Sequence, residues 1–219
     1  TQFYYPAEVG ASCDTWDTDF WPSCKSGNAS FCSQAWCYVN PCNCKGLDVL
    51  PKRSLALKGA TFQGMPMYYS YATCGSSDSY TAGVSAACVN QKTKPACTAL
   101  SDCAWTGSEC MGKELASACD VKPDPSVAGV EGCRCVGVAG SNGTVAATYA
   151  HNLGVEYPAE VGSSCKAWDY HIHKDCIFQD PMPAWCKEKW CYVDPCTCTG
   201  INAPPKTSQM LTGAMYQGG

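Results

Sequence analysis

Cysteine is the residue that most constrains this chain. There are 20 cysteines in 219 residues, close to the level of about 8–10% that marks disulfide scaffolds. Leu, Ile, Val and Phe together number only 30, too few for a hydrophobic core of ordinary size. Each disulfide that closes a loop of tens of residues stabilises a fold by roughly 2–4 kcal/mol, so ten would offset a thin core. Such bonds require an oxidising compartment, and we expect a secreted protein, extracellular or at the cell surface.

One module occurs twice in the chain. Residues 5–14 (YPAEVGASCD) recur almost letter for letter at 157–166 (YPAEVGSSCK), and the match extends to 64 in the first copy and to 218 in the second. Self-similarity of this kind indicates a repeat architecture. The second copy stops where the first runs on, which suggests a longer array or a unit completed by a neighbouring chain. A frayed terminus is the alternative.

The repeat divides the chain into four segments. They are copy 1 (residues 1–75), a distinct middle cysteine-rich domain (76–136), a connector (137–156) and copy 2 (157–219), which is incomplete. Glycine (20 residues) and proline (14 residues) interrupt the chain so often that long helices are excluded. We therefore predict small disulfide-rich modules in a tandem repeat arrangement, β-rich and loop-rich with short helical turns.

Short elements are predicted at three places. Residues 180–191 have Asp180 at a capping position and prolines confined to the start, which favours one short helix. In the connector, the run TVAATY at 144–149 is β-prone and follows a Gly-rich turn. Residues 1–5 hold the equivalent place before copy 1, where an unpaired strand would add to the sheet edge of a neighbour.

The cysteines can be divided so that each part closes on itself, as three, four and three disulfides, with the connectivity inside each set left open. Cys74 then belongs with the middle domain. The sets are Cys13, Cys24, Cys32, Cys37, Cys42 and Cys44 in copy 1; Cys74, Cys88, Cys97, Cys103, Cys110, Cys119, Cys133 and Cys135 in the middle; and Cys165, Cys176, Cys186, Cys191, Cys196 and Cys198 in copy 2. Zinc is the competing use of such spacings, but structural zinc takes four ligands rather than six. Bridges are favoured, and no metal or cofactor is predicted.

The histidines do not support a catalytic role shared by the copies. His151, His171 and His173 are the three in the chain, and none has a counterpart in copy 1. His171 and His173, flanked by Asp169 and Asp175, would share one face of a strand and so offer metal ligands. A solvated loop is the favoured interpretation of this segment.

Two acidic pairs are common to both copies. Asp17 corresponds to Asp169 and Glu8 to Glu160, and two carboxylates about 5–10 Å apart are what a glycosidase requires. Capping, turn and ion-pair roles are commoner for such residues. Since no catalytic constellation recurs, we expect that the protein is not an enzyme.

Aromatic residues are the other shared feature. The pairs are Trp16/Trp168, Trp36/Trp190, Tyr38/Tyr192 and Phe62/Tyr216. An exposed indole suits the face of a sugar ring, but Trp36 and Trp190 adjoin cysteines, which favours packing in a small core. Trp21 and Trp185 lie outside the shared pattern and are the candidate contacts for a glycan or a protein partner.

Three stretches carry a family resemblance. The run WCYVDPCTC at 190–198, YPAEVG at 157–162 and YYSYATCG at 68–75 resemble uncharacterised secreted cysteine-rich tandem-module proteins of algae and related protists. The resemblance covers nearly the whole chain and implies a secreted or cell-surface repeat protein. It implies no particular ligand-binding residues.

The glycosylation sequons and the net charge limit the kinds of partner that the chain is expected to have. Asn28 and Asn142 each begin an N-x-S/T sequon, so covalent glycans are expected there. The net charge is −4 and no basic stripe is present, which argues against nucleic acid. No apolar run is long enough to insert into a membrane.

These observations favour a structural subunit of a glycosylated extracellular filament, surface hair or matrix, built by self-association of disulfide-stapled modules into a polymer or array. A glycan- or protein-binding adhesion module, in which duplication raises avidity, is the first alternative. A lumenal accessory subunit of a membrane complex is a variant, since oxidising lumens also permit disulfides. A hydrolase comes last.

Overall fold

A computed structural model describes residues 5–210, with gaps at 7, 28, 45, 55, 58, 79–84, 141–143 and 149–153. It contains eight disulfides, small antiparallel sheets and short helices, which confirms the predicted cysteine-rich, loop-rich β class. The disulfides indicate an oxidising, extracellular type of environment. Among the described residues, no helix has both the length and the apolar character that a membrane span requires.

The chain forms two compact units. Unit 1 comprises Thr1–Ala56 and Pro66–Lys122, and unit 2 comprises Leu57–Met65 and Pro123–Gly219. This grouping differs from the four predicted segments, because most of the middle domain packs with copy 1 and its last residues pack with copy 2.

The elements are short throughout. The strands are β1 (Cys37–Val39), β2 (Lys52–Arg53), β3 (Thr61–Phe62), β4 (Met65–Pro66), β5 (Tyr68–Ser70), β6 (Cys103–Trp105), β7 (Cys110–Gly112), β8 (Gly129–Val130), β9 (Cys133–Arg134), β10 (Val138–Ala139), β11 (Thr144–Thr148) and β12 (Gly154–Pro158). The α-helices are α1 (Asp17–Phe20), α2 (Pro22–Lys25), α3 (Ser85–Val89), α4 (Lys94–Thr98), α5 (Lys113–Asp120), α6 (Pro125–Ala128) and α7 (Lys174–Phe178). Single 3-10 turns occur at Ser30–Ser33, Ala72–Cys74 and Ala184–Lys187.

Unit 1 is organised around a three-stranded antiparallel sheet in the order β1-β5-β2. β1 is buried along its whole length, so its sequence does not alternate between apolar and polar residues. Val39, Leu50 and Tyr68 form the core beneath it with Met111 and Leu115 from β7 and α5. A second, smaller cluster consists of the sulfurs of the Cys88–Cys103 and Cys97–Cys110 disulfides.

Unit 2 contains the predicted β-prone connector. Residues 144–148 of the predicted run form β11, which pairs with β12 over five residues. β12 carries the fully buried Tyr157 into a core with Trp168 and Met210. The helix predicted at 180–191 is reduced to the 3-10 turn Ala184–Lys187. Proline at 183 excludes helical geometry from the residue before it, so a helix can begin only afterwards.

The disulfides cross the three self-contained sets predicted above, and the structure corrects that partition. Four bonds lie within the predicted sets: Cys24–Cys32 and Cys176–Cys186 at equivalent places in the two copies, and Cys88–Cys103 and Cys97–Cys110 in the middle set. The other four join cysteines of different sets. Cys74 is bonded to Cys13, because it follows β5, which pairs with β1 in copy 1. The remaining bonds are Cys42–Cys119, Cys133–Cys198 and Cys135–Cys191, and the free thiols are Cys37, Cys44, Cys165 and Cys196.

Candidate functional site

A buried carboxylate organises the aromatic side chains of copy 1. Asp17, the first residue of α1, is only 6% exposed. Its Oδ1 accepts a hydrogen bond from the Tyr5 hydroxyl (2.6 Å), and its Oδ2 accepts from Trp36 Nε1 (2.9 Å) and from the Tyr71 hydroxyl (3.2 Å). Bonds to an ionised acceptor are about twice as strong as neutral ones. We call Asp17 and its three donors, Tyr5, Trp36 and Tyr71, the carboxylate hub. It fixes three aromatic rings around one carboxylate.

Copy 2 repeats the carboxylate hub with two donors. Asp169 accepts from the Tyr157 hydroxyl and from Trp190 Nε1, both at 2.7 Å. The acidic pair common to both copies is therefore engaged by tyrosine and tryptophan. The capping, turn and ion-pair roles expected for such carboxylates did not include acceptance from aromatic side chains.

The second acidic pair differs between the copies. Glu8 is exposed, whereas Glu160 accepts from Lys166 Nζ (2.8 Å) and from the Gly140 N–H (2.6 Å). Burial opposes ionisation of Glu160, but these two hydrogen bonds outweigh it and hold the pKa of the carboxyl below its ordinary value. Glu160 thus makes an ion pair, as predicted for this class of residue.

A glycine–tyrosine contact sets the position of β1. Gly10 has a φ of +72°, and a Cβ at this residue would lie 2.3 Å from the Tyr38 ring. The Tyr38 N–H donates to the Gly10 carbonyl at 2.8 Å. Gly162 and Tyr192 make the same contact and the same 2.8 Å bond in copy 2. Only glycine satisfies both the positive φ and the close approach.

A cleft of about 770 Å³ opens beside the carboxylate hub in unit 1. Its lining combines the hub with further rings and a polar rim: Tyr5, Asp17, Trp21, Phe31, Trp36, Tyr38, Lys52, Arg53, Ser54, Ala56, Tyr69, Tyr71 and Glu114. Of the aromatic lining residues, three are buried, namely Trp36, Tyr38 and Tyr71. The other four are partly exposed, namely Tyr5, Trp21, Phe31 and Tyr69. The size falls in the range of small-molecule sites.

Edge-to-face contacts hold the floor of the cleft. The ring of Trp36 lies 5.2 Å from that of Tyr38 and 5.9 Å from that of Tyr69, both in T-shaped geometry, and Tyr69 meets Tyr71 at 5.9 Å. Such pairs add about 0.5–1.5 kcal/mol each beyond burial. The cleft is therefore a rigid aromatic surface before any ligand arrives.

The charges at the rim are compensated within unit 1. Lys52 Nζ lies 3.7 Å from Asp78 Oδ2, and Arg53 donates to Glu114 Oε1 at 3.2 Å. Burial lowers the pKa of Lys52, and the Asp78 carboxylate opposes that shift. Burial, together with the Asp17 carboxylate, raises the pKa of Tyr5 and of Tyr71 above the ordinary tyrosine value. The aromatic groups therefore remain neutral at physiological pH, and the rim offers no excess of positive charge.

The two tryptophans predicted as contact residues have different surroundings. Trp21 lines the cleft, between α1 and α2. Trp185 lies in the other unit, 39% exposed, with its ring edge-to-face with His173 at 5.0 Å. The shared tryptophans belong to the packed interior, as predicted: Trp16 and Trp168 donate to the carbonyls of Ser12 and Ser164, and Trp36 and Trp190 donate to the hubs.

The predicted histidine cluster lies in a loop. His171 has a φ of +68° and contacts the ring of Tyr170, and His173 Nδ1 accepts from the Asp175 N–H at the start of α7. This matches the loop interpretation. His151, Tyr216 and both predicted glycosylation sites, Asn28 and Asn142, lie outside the described residues.

Sulfur atoms converge at two places that the sequence did not indicate. Cys13, Cys37 and Cys74 form one triplet, and Cys135, Cys165 and Cys191 form the other, with all sulfurs of a triplet within 4.8 Å of one another. In the part of the chain that is described, these two triplets are the clusters of three or more side chains that could ligate a metal, and neither contains histidine. Two sulfurs of each triplet are joined in a disulfide, so each offers one free thiol.

The sequence indicated Trp21 but neither the rest of the cleft nor the triplets. Tyr69 and Arg53 reach the cleft from β5 and β2, far from Trp21 along the chain, and no spacing rule joins them. Comparison of the chain with protein-family models, with curated proteins and with solved structures gives no match.

Proposed function

We propose that this is an extracellular glycan-binding protein and that the aromatic cleft of unit 1 is its binding site for a neutral carbohydrate. The observation that carries the proposal is a cleft of about 770 Å³ whose lining includes seven aromatic residues, four of them partly exposed. A flat apolar ring with a polar edge matches the apolar face and polar rim of a pyranose.

The charge of the cleft selects among ligands that stack on aromatic rings. Nucleotide bases also stack on such rings, but sites for single strands combine them with a positively charged groove that follows the phosphates. Here Lys52 and Arg53 are each paired with a carboxylate, and Asp17 adds a further negative charge. A neutral, hydroxyl-rich ligand fits these surroundings best.

The test is binding to an array of neutral oligosaccharides by the wild type and by two matched variants. Trp21→Ala removes a partly exposed ring of the cleft and should lower affinity by about two- to twelvefold, since a stacking contact contributes about 0.5–1.5 kcal/mol. Trp185→Ala removes an equally large ring from the other unit and should bind like the wild type. Equal binding by all three proteins would refute the assignment of the cleft.

A structural role in an extracellular filament, surface hair or matrix is the second candidate. It is favoured by a different observation, the duplication of a module whose carboxylate hub and glycine–tyrosine contact recur. Trp21 of the cleft has no tryptophan counterpart in copy 2. The duplication therefore suits a structural framework better than a pair of equal binding sites. Electron microscopy of the native material separates the candidates: filaments with a regular axial repeat support the structural role, and discrete particles oppose it.

A further inference from the structure

A free thiol lies beside a disulfide in copy 2. Cys135 is bonded to Cys191, and the Sγ of Cys165 lies 3.5 Å from the Sγ of Cys135 and 3.9 Å from that of Cys191. Cys165 is partly buried and unbonded. Since its two distances are similar, the thiol lies alongside the disulfide, and a side-chain rotation would bring it into line with the bond.

Copy 1 contains a triplet that shares two corresponding cysteines with that of copy 2, and the bonded one of the two is different. Cys13 is bonded to Cys74, and the free thiol of Cys37 lies 3.9 Å from the Sγ of Cys13. By the offsets of the duplication, Cys13 corresponds to Cys165 and Cys37 corresponds to Cys191. The cysteine that is bonded in one copy is therefore the free thiol in the other.

A second pair of cysteines alternates in the same way. In copy 1, Cys42 is bonded and Cys44 is free. Their counterparts in copy 2 are Cys196, which is free, and Cys198, which is bonded. In each pair of cysteines the bonded member thus differs between the copies. Their partners outside the repeat differ as well: Cys74 and Cys119 for copy 1, and Cys135 and Cys133 for copy 2.

We propose that copy 2 contains an intramolecular thiol–disulfide exchange site formed by Cys135, Cys165 and Cys191. Cys165 loses its proton to solvent, and its thiolate attacks the Sγ of Cys135. A Cys135–Cys165 bond forms, the Cys135–Cys191 bond breaks, and Cys191 leaves as a thiolate that takes up a proton. One disulfide and one thiol are present before and after the step, so no oxidant or reductant is consumed.

The exchange moves a covalent link between two segments that meet at the hub of copy 2. Before the step, Cys135 is tied to the segment that carries Trp190, and afterwards to the segment that carries Trp168. In the product Cys165 is bonded, as its counterpart Cys13 is in copy 1. In copy 1 the reverse step is suppressed, because Cys37 is buried and burial, with the nearby Cys44 sulfur, raises its pKa to about 11. A protonated thiol is a poor nucleophile.

The test is disulfide mapping by mass spectrometry of the full-length oxidised protein, with free thiols alkylated at acidic pH before digestion. Wild-type protein should yield both the 135–191 and the 135–165 linked peptides, with alkylation divided between Cys191 and Cys165. The approach to this mixture should quicken as the pH is raised, since the thiolate is the attacking species. Cys13 should remain linked to Cys74 throughout.

Two variants fix the end states. Cys165→Ser should give only the 135–191 peptide, and Cys191→Ser should give only the 135–165 peptide. A wild-type protein that keeps a single linkage at Cys135 after prolonged incubation at alkaline pH would overturn the proposal. So would a direct Cys165–Cys191 bond, or the absence of any alkylated thiol at these positions. Because the wild type carries the decisive readout, poor folding of a variant leaves the result interpretable.

Discussion

Replacing the buried carboxylate of unit 1 with its neutral isostere should destabilise that unit markedly. In Asp17→Asn, one oxygen remains to accept from Trp36 Nε1, which is only a donor, while the Tyr5 hydroxyl must turn and accept from the new amide. The protein loses the charge assistance of the hub rather than all three bonds. Hydrogen bonds to charged groups contribute about 1.5–3 kcal/mol, and we expect a loss of that size in the free energy of unfolding.

Asp17→Ala should be more damaging. It leaves three donors without an acceptor, and Trp36 and Tyr71 are only 7% and 4% exposed. Each buried donor left without a partner costs about 1–3 kcal/mol, so the expected loss is about 3–5 kcal/mol. Water can reach Tyr5 more easily than the other two residues, which keeps the total below the full sum.

The assay is equilibrium unfolding in guanidinium without reductant, followed by tryptophan fluorescence. Asp19→Asn is the matched control, because Asp19 is an exposed residue of the same helix and surface changes stay within about 0.5 kcal/mol. Asp169→Asn should lower the free energy of unfolding less than Asp17→Asn, since among the described residues two side chains donate to Asp169 and three to Asp17. Equal stability of the Asp17→Asn and Asp19→Asn proteins would refute the hub as a stabilising element.

Three further results are expected. Gly10→Ala should cost at least about 2 kcal/mol more than Gly46→Ala, since both have φ of +72° but only at Gly10 does a Cβ meet a ring; similar unfolding midpoints would contradict this. Replacing both Cys42 and Cys119 with serine should lower the free energy of unfolding by about 4.5 kcal/mol, against about 2.6 kcal/mol for the same change at Cys24 and Cys32. The reason is that the Cys42–Cys119 bond closes a longer loop (sequence separation 77 against 8). A larger loss at Cys24 and Cys32 in chemical unfolding would contradict this. The folded-state pKa values of the hub tyrosines are raised, so their contribution is complete below about pH 10 and lost above it; a pH titration of stability that stays flat through this range would oppose it.

The sequence supported the class of fold better than its connectivity. Cysteine content and the scarcity of aliphatic residues predicted a disulfide scaffold, and β-propensity located β11 within the connector. The predicted disulfide set is wrong at Cys74 because of two long-range contacts: β5 pairs with β1, and Asp14, next to Cys13, pairs with Trp36, next to β1. Together they bring Cys74 to Cys13. Residue order along the chain carries no direct information about such a contact.

The duplication was informative about roles as well. Asp17 and Asp169 stood out as the same residue in both copies, and each proves to be the acceptor for an equivalent tyrosine and tryptophan. Trp21 was singled out for lying outside the shared pattern, and it lines the cleft. The remaining lining comes from strands whose order in space follows from packing, which no local pattern predicts.

The most direct test of the glycan-binding account is a nuclear magnetic resonance titration of protein labelled with ¹⁵N in its tryptophan indoles. Cello-, manno- and xylo-oligosaccharides are the probes, and each indole N–H reports on its own surroundings. The account predicts a saturable shift of the Trp21 signal with at least one probe, and an unchanged Trp185 signal. Unchanged Trp21 with every probe, or a response confined to Trp185, would contradict it.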